Sequence, residues 1–375
     1  MKDHAGGLSL FRERTSTFLF CLLIAISAFG QERHSSGTLR FSLPDDIEVN
    51  SAAKSFEKGA TQFAAGRYDE ALQSLRQAVT INPGFAEAYN SLCVVYDRLK
   101  RDDEAIDACR RAIGLKPDLA VAYYNLGMIY EDANRHREAV ASLKQSILLN
   151  PNDGRAHFYL GRAEVEAGEY TAAIQSLKRS IALRPSNAAA YNELGVAYCQ
   201  LEQYEDAGRA FQTAVQYAPE QAQFHGNLSV PYYFLGRYGE AVASLEQAVR
   251  LKPDYAMGHA RLGQVYLKMD RYEDSIASLQ QALKLNLNDA IVYNDLGYAY
   301  AHLKRYREAA ESLTMATMLE PQFATALFNL GVVNLKMNDR NSAVARYAEL
   351  KTLDHQLADK LFKMIYRERV LFVRL

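Results

Sequence analysis

Leucine and a few other apolar residues recur along this chain at one fixed interval. A leucine followed in most cases by a small residue appears every 34 residues, which indicates a tandem repeat. The leucines of this column are Leu92, Leu126, Leu160, Leu194, Leu228, Leu262, Leu296 and Leu330. An aromatic residue or a histidine precedes most of these leucines by three positions, and a tyrosine usually follows by four. Spacings of three, four and seven predict an amphipathic helix with one buried stripe.

The second half of each repeat has a similar pattern. A small residue, usually alanine, is followed four positions later by a large apolar residue, as in Ala139 and Leu143. Proline ends this second helix at the same interval, except that Leu287 stands where one proline is missing. Between the halves, several repeats have a residue that tolerates the left-handed turn conformation: Gly66, Asn134, Gly168, Gly236 and Asp270. The sequence therefore predicts an all-α fold, an α-solenoid of helix–turn–helix units.

These columns resemble the tetratricopeptide repeat (TPR) family, whose 34-residue helix–turn–helix carries an aromatic residue, Leu-Gly, Tyr, Ala, Phe and Pro. The resemblance covers residues 52–355 as nine repeats, with tyrosine or histidine in place of tryptophan. It implies a right-handed superhelix whose concave face is lined by the first helices of the repeats. Residues 356–375 are predicted to form a C-terminal capping helix and tail. The apolar end of this tail leaves docking to a partner or a membrane surface as the alternative.

The N-terminal segment differs in kind from the repeats. Basic residues precede a short apolar run that ends in small residues, a pattern typical of a secretory signal over residues 1–30. The run at 17–29 is short for a membrane span, and an uncleaved anchor is the alternative. Residues 31–51 are polar and are predicted to be a flexible linker. We therefore expect an exported protein, periplasmic or secreted, or one anchored to a membrane by residues 17–29.

Cysteines are few in this chain. Cys93 and Cys109 follow the predicted signal and fall in the small column and the leucine column of one repeat, on facing helices. A disulfide between them is conceivable. The alternative, which the sequence favours, is two small buried residues. Cys199 lies on a first helix and is a candidate free thiol in the groove.

The family resemblance places the binding surface on first-helix positions beside the packing stripe. These positions mix aromatic residues with side-chain amides. The candidate groove residues are Asn90, Tyr124, Asn125, Met128, Phe158, Arg162, Asn192, Val196, Asn227, Val230, Tyr233, Arg261, Asn294, Tyr298 and Asn329. An asparagine can donate to and accept from a peptide backbone, so a series of them would hold an extended segment without reading its sequence. The alternative is that asparagine is simply common before Leu-Gly in the repeat.

Repeats that are three repeats apart resemble each other more closely than the 34-residue pattern requires. The hexapeptide at 138–143 recurs unchanged at 240–245, an interval of three repeats, and the asparagines recur at the same interval. This favours duplication of a three-repeat cassette over chance drift.

Pro231 departs from the pattern because it falls inside a predicted first helix, where an interior proline costs about 3 kcal/mol. We predict either a local kink that frees a carbonyl near Asn227 or a tolerated defect.

Composition and motifs argue against other classes of protein. The net charge is -1 and no basic stripe is visible, so a nucleic-acid partner is not expected. The sequence has no phosphate-binding loop and no CxxC or HExxH motif, and His157, His225 and His259 belong to the aromatic packing column. We expect no enzyme activity, no cofactor and no metal site, and a protein or peptide as the partner. The alternatives are an envelope or pilus assembly factor at a membrane, and a substrate-recruiting partner of a separate enzyme such as a glycosyltransferase.

Overall fold

A computed structural model describes residues 44–366 of the chain, and in that range all regular structure is helical. The chain divides into two compact units, with the boundary between Ser186 and Asn187. The helices of the first unit are α1 (Pro44–Ala64), α2 (Tyr68–Ile81), α3 (Ala86–Arg98), α4 (Asp102–Leu115), α5 (Ala120–Asp132), α6 (His136–Leu149), α7 (Gly154–Glu166) and α8 (Tyr170–Leu183).

The second unit continues the same alternation and adds one helix at its end. Its helices are α9 (Ala188–Gln200), α10 (Tyr204–Tyr217), α11 (Ala222–Phe234), α12 (Tyr238–Leu251), α13 (Ala256–Lys268), α14 (Tyr272–Lys284), α15 (Ala290–His302), α16 (Tyr306–Leu319), α17 (Ala324–Lys336), α18 (Arg340–Leu353) and α19 (His355–Tyr366). Each repeat consists of an A helix and a B helix, the odd- and even-numbered helices from α1 to α18. Each unit is therefore an α-solenoid of helix pairs, as the sequence predicted.

The N-terminal end of the repeat region differs from the expected boundary. Helix α1 begins at Pro44, inside the segment 31–51 that was predicted to be linker, so residues 44–51 belong to the first A helix. The predicted signal or anchor and the tail at 367–375 lie outside the described residues. No helix between residues 44 and 366 has both the length and the apolar character that a membrane span requires.

The turn between the A and B helices uses the left-handed conformation. All five predicted turn residues have positive φ, with values of 55° to 79°. Asn338 occupies the same turn position with a φ of 59°. Lys100, Glu202 and Lys304 also occupy it, with φ of 58° to 60°, although their side chains do not favour it. The backbone explains this uniformity: in the first turn Arg67 N donates to the carbonyl of Gln62, and Gly66 N donates to that of Phe63. This bonding pattern ends a helix at a left-handed residue.

Proline ends most B helices through the residue that precedes it. Asn82 before Pro83 and Lys252 before Pro253 leave the helical region, with ψ of 92° and 88°. A proline ring excludes the helical conformation at the preceding residue. Where Leu287 replaces the proline, α14 ends instead through Asn286 with a φ of 64°. A B helix thus ends in one of two ways, at an extended residue before a proline or, where the proline is missing, through a left-handed residue.

The small column and the leucine column of each repeat meet at very short range. A Cβ added to Gly161 would lie 2.5 Å from Leu177 Cγ, and one on Gly297 would lie 2.5 Å from Leu313 Cγ. The two partners are 16 residues apart in sequence. Glycine is therefore favoured at positions such as Gly161 and Gly297, because the facing leucine occupies the space of a side chain.

Cys93 and Cys109 occupy these two columns in the second repeat, and they form a disulfide with a Cα–Cα distance of 5.2 Å. The favoured sequence interpretation, two unpaired buried residues, is thus wrong. The physical reason is the close approach just described, since residues in these columns face each other at a distance that suits a disulfide.

The tyrosine column links neighbouring repeats. Arg110 donates to the Tyr130 hydroxyl at 2.9 Å, and Gln280 donates to the Tyr300 hydroxyl at 2.8 Å, in each case from the preceding B helix. Glu164 replaces the tyrosine in the fourth repeat, where its carboxylate lies 3.4 Å from the Lys144 ammonium. Burial raises the pKa of Glu164. Hydrogen bonding thus accompanies apolar packing at each of these junctions.

Helix α19 covers the end of the second unit. Ala358, Leu361 and Ile365 are buried, whereas Phe362 on the same helix is exposed. A Cβ on Gly331 would meet Leu361 rather than a residue of α18. In the other repeats the glycine of the A helix contacts the B helix of the same repeat. In the last repeat it contacts α19 instead.

Candidate functional site

Six of the predicted groove asparagines form three pairs between neighbouring A helices. Asn125 Nδ2 donates to Asn90 Oδ1, Asn227 Nδ2 to Asn192 Oδ1, and Asn329 Nδ2 to Asn294 Oδ1, each at 2.9 Å. The pairs recur every three repeats, as the sequence cassette does. The first member in chain order is buried and the second is partly exposed. Each carboxamide has two N–H groups and two acceptor sites. Asn192 and Asn294 also donate to a neighbouring carboxylate, at 3.4 and 3.3 Å, so the partly exposed members Asn227 and Asn329 keep more capacity for a ligand.

The large candidate residues of the first unit are packed inside the protein. Tyr124, Met128 and Phe158 are all buried, and the ring centroids of Tyr124 and Tyr159 lie 5.8 Å apart. These three candidate groove residues therefore offer little surface to a ligand, because each fills the space between successive A helices.

Arg162 is also engaged within the first unit. Its guanidinium lies 4.9 Å from the centroid of the Tyr159 ring, and its Nε lies 3.6 Å from a carboxylate oxygen of Glu131. Glu131 is buried, and burial raises the pKa of its carboxyl, an effect that Arg162 and His136 partly offset. Arg162 therefore balances a buried carboxylate of the protein.

The second unit contains a pocket of about 610 Å³ lined mainly by the A helices α11, α13, α15 and α17. The structure brings together six predicted groove residues there: Val230, Tyr233, Arg261, Asn294, Tyr298 and Asn329. Asn192, Val196 and Asn227 belong to the same unit but not to the pocket lining. Tyr298 and its neighbour Phe234 are exposed. Aromatic and amide side chains thus converge on one cavity of ligand-binding size.

One column of the repeat differs in volume between the two units. The column that carries Tyr124 and Phe158 in α5 and α7 carries Gly226 and Ala260 in α11 and α13. These small residues supply little volume themselves, and neither of them lines the pocket. The ring of Tyr255 lies beside Gly226, 2.9 Å from the position of an added Cβ.

Asp295 is a pocket residue that the sequence analysis missed. It is mostly buried, and its two oxygens accept from Gln264 Nε2 at 3.0 Å and from Asn294 Nδ2 at 3.3 Å. Burial raises the pKa of Asp295, and these two hydrogen bonds partly offset that effect. Its position one residue before the leucine column is shared with Asn227, Arg261 and Asn329, and this shared position was the signal that could have identified it.

Pro231 lies within α11, which continues through it from Ala222 to Phe234. The carbonyl of Gly226 accepts from the Ser229 hydroxyl at 2.7 Å and from Arg261 Nη1 at 3.2 Å. Arg261 therefore connects α13 to α11 near the proline. The helix does not break, and two side chains supplement the backbone bonding in the turn before the proline.

The pH dependence of stability provides a test of the buried state of Asp295. Because its pKa is raised on folding, the folded state binds a proton more readily than the unfolded state, and stability falls as pH rises above the ordinary aspartate pKa. We expect Asp295→Asn to melt at a higher temperature than the wild type near about pH 7, and the difference to shrink towards about pH 3. The Gln264 amide can turn over to accept from the new amide. Asp254→Asn, at an exposed aspartate, is the control. The same pH profile for both variants would refute a buried carboxylate.

The three histidines of the aromatic column have structural partners. A ring nitrogen of His157, His225 or His259 lies 2.8 to 3.0 Å from the carbonyl of the proline six residues earlier. Across residues 44–366, no three His, Cys, Asp or Glu side chains converge in a way that could hold a metal ion.

Cys199 is partly buried, and burial raises the pKa of its thiol to about 12, so the thiol stays protonated at neutral pH.

Comparisons with known proteins agree with this architecture. The family model described as the cilia and flagella-associated protein 70 C-terminal domain, a tetratricopeptide domain, matches residues 153–360. Two tetratricopeptide repeat models match residues 56–120 and 120–153. The chain belongs to the tetratricopeptide repeat family. A search of curated protein sequences finds no match.

Solved structures with low sequence identity share the fold. The Cut9–Hcn1 hetero-tetramer of APC/C has a TM-score of 0.53 and 21% identity, covering 77% of this chain and 56% of that chain. PilF of Pseudomonas aeruginosa has a TM-score of 0.51 and 22% identity, covering 56% and 96%. A tetratricopeptide repeat protein of Parabacteroides merdae has a TM-score of 0.51 and 16% identity, covering 67% and 99%. These structures share the helical-repeat fold of this chain.

Proposed function

We propose that this protein binds an extended segment of a partner protein along the A helices of its second unit. The observation that carries the proposal is the pocket lined by α11, α13, α15 and α17. Exposed aromatic side chains there provide apolar contact area at a low entropic cost. In the amide pairs Asn192–Asn227 and Asn294–Asn329, the partly exposed members Asn227 and Asn329 have donor and acceptor capacity for a peptide backbone beyond the bond within the pair.

The first unit contributes less to binding in this proposal. Its groove positions Tyr124, Met128 and Phe158 are buried, and Arg162 is engaged with Glu131. Backbone contacts without deep side-chain pockets would give little sequence preference there. The second unit would therefore determine which segment binds.

Removal of one asparagine from each amide pair of the second unit tests the proposal. Linear peptides selected on the wild-type protein from a displayed random library serve as probes. We expect Asn192→Ala combined with Asn294→Ala to weaken their binding about tenfold, since each lost hydrogen bond contributes about 0.5–1.5 kcal/mol. Fluorescence anisotropy gives the affinity, and circular dichroism confirms the fold.

The matched control removes two exposed amides from B helices of the first unit, Gln145→Ala with Gln175→Ala. Its affinity should equal that of the wild type. Groove binding is refuted if the control weakens binding as much as the asparagine variant does, or if neither variant changes it.

A further inference from the structure

We propose that Asp295 is the base of a subsite for a cationic side chain, arginine or lysine, of the segment bound in the second unit. The inference rests on the proposed function and adds the chemistry of the ligand. It also predicts where in the groove sequence preference arises: at the pocket between α13 and α15.

The Asp295 carboxylate has only neutral partners. Gln264 and Asn294 each donate one hydrogen bond, while a carboxylate has about four acceptor positions. Within residues 44–366, no Lys, Arg or His forms an ion pair with it. A mostly buried charge without a counter-ion in direct contact is costly to hold in place, and burial accordingly raises the pKa of this carboxyl, an effect that the charge of Lys268 offsets in part. Such a group in a cleft is a functional candidate because a ligand can offset the cost.

The two cations of the pocket are engaged elsewhere. Arg261 donates to the Gly226 carbonyl on α11, which directs its guanidinium away from α15. The Lys268 ammonium lies 5.9 Å from the centroid of the Tyr233 ring. The pocket therefore contains a carboxylate and cations that do not neutralise one another by direct contact.

The surroundings suit a long cationic side chain. Tyr298 lies three residues after Asp295 on the same helix face, and 39% of its surface is exposed. Tyrosine rings attract cations, and they also pack against the aliphatic part of arginine or lysine. The contact of Lys268 with Tyr233 shows this chemistry within the pocket. A metal ion fits less well, because only one carboxylate is present and its described partners are amides.

The test uses the same displayed peptide library. Enriched peptides are synthesised with their arginine replaced by citrulline, or their lysine by norleucine, and affinities are measured for the wild type, Asp295→Asn and the control Asp254→Asn. We expect Asp295→Asn to weaken cationic peptides about tenfold or more. Asp254→Asn should stay within about twofold. The neutral peptide should bind the wild type more weakly than the cationic peptide does. Asp295→Asn should not weaken the binding of the neutral peptide any further, because the effects of two groups in contact are not additive.

A second variant examines the competing cation. Lys268→Met removes the ammonium near Tyr233, and we expect cationic peptides to bind it more tightly than the wild type, since a like charge is removed. Weaker binding to Lys268→Met would instead mean that the pocket prefers an anion, which overturns the inference.

The outcomes separate the two proposals. Peptides that depend on Asn192 and Asn294 but show no arginine or lysine preference overturn the Asp295 subsite and leave groove binding intact. Peptides insensitive both to the asparagine variant and to Asp295→Asn overturn groove binding and the subsite together. An equal loss for Asp295→Asn and Asp254→Asn means a general charge effect, and it also overturns the subsite.

Discussion

Gly161→Ala is expected to destabilise the first unit by about 2–3 kcal/mol, the upper range for overpacking a tight core. The added Cβ would lie 2.5 Å from Leu177 Cγ, and the backbone carbonyl of Ala173 is 3.3 Å away, so neither the leucine nor the backbone can yield easily. Alanine favours a helix over glycine by about 1 kcal/mol, which offsets part of the loss. Urea unfolding followed by circular dichroism measures the change.

Gly208→Ala is the matched control for this prediction. Gly208 lies within α10, and an added Cβ there meets no atom within 4 Å. The same substitution should therefore stabilise by about 0.5–1 kcal/mol through helix propensity alone. Similar effects at both positions would show that the Gly161–Leu177 contact is looser than described.

Loss of the Cys93–Cys109 disulfide is expected to lower the stability of the second repeat by about 3 kcal/mol, the entropy associated with a loop of about 15 residues. Cys93→Ala with Cys109→Ala removes the bond and leaves space where the facing side chains meet. Cys93→Gly with Cys109→Leu removes it but restores the glycine–leucine contact of the other repeats, and it should recover much of the loss. Thermal unfolding with and without reductant compares the variants.

The disulfide also bears on the compartment. Disulfides persist mainly in oxidising environments, and on this basis we propose that the chain is exported. Peptide mapping of the native protein without reduction should find the Cys93 and Cys109 peptides joined and the mature N-terminus after Gly30. Reduced cysteines together with an intact N-terminus would contradict both the bond and export.

Much of the fold followed from the sequence because repetition amplifies weak local signals. One proline after a helix says little, but the same proline in seven repeats defines a boundary. The turn residues show the limit of this approach. Gly66 and Asn134 were predicted to be left-handed, whereas Lys100 and Glu202 were not, since their side chains carry no such preference and the neighbouring helices impose the conformation.

The binding surface was harder to predict than the fold. The sequence identified the first-helix positions, and six of them line the pocket. It did not distinguish filled positions, such as Tyr124 and Phe158, from open ones, such as Tyr233 and Tyr298. It also missed Asp295, because an aspartate on an amphipathic helix usually faces water.

The repeat, the pairing of helices and the columns through which they pack can be read from residue types alone, because they depend on fixed spacings along one chain. Which asparagines pair, which aromatic residues are buried and where the pocket opens become visible only in the folded protein. Those features depend on side-chain volume and hydrogen bonding from two neighbouring repeats together. Gly226 shows this dependence: the glycine leaves space on α11, and the ring of Tyr255 occupies that space.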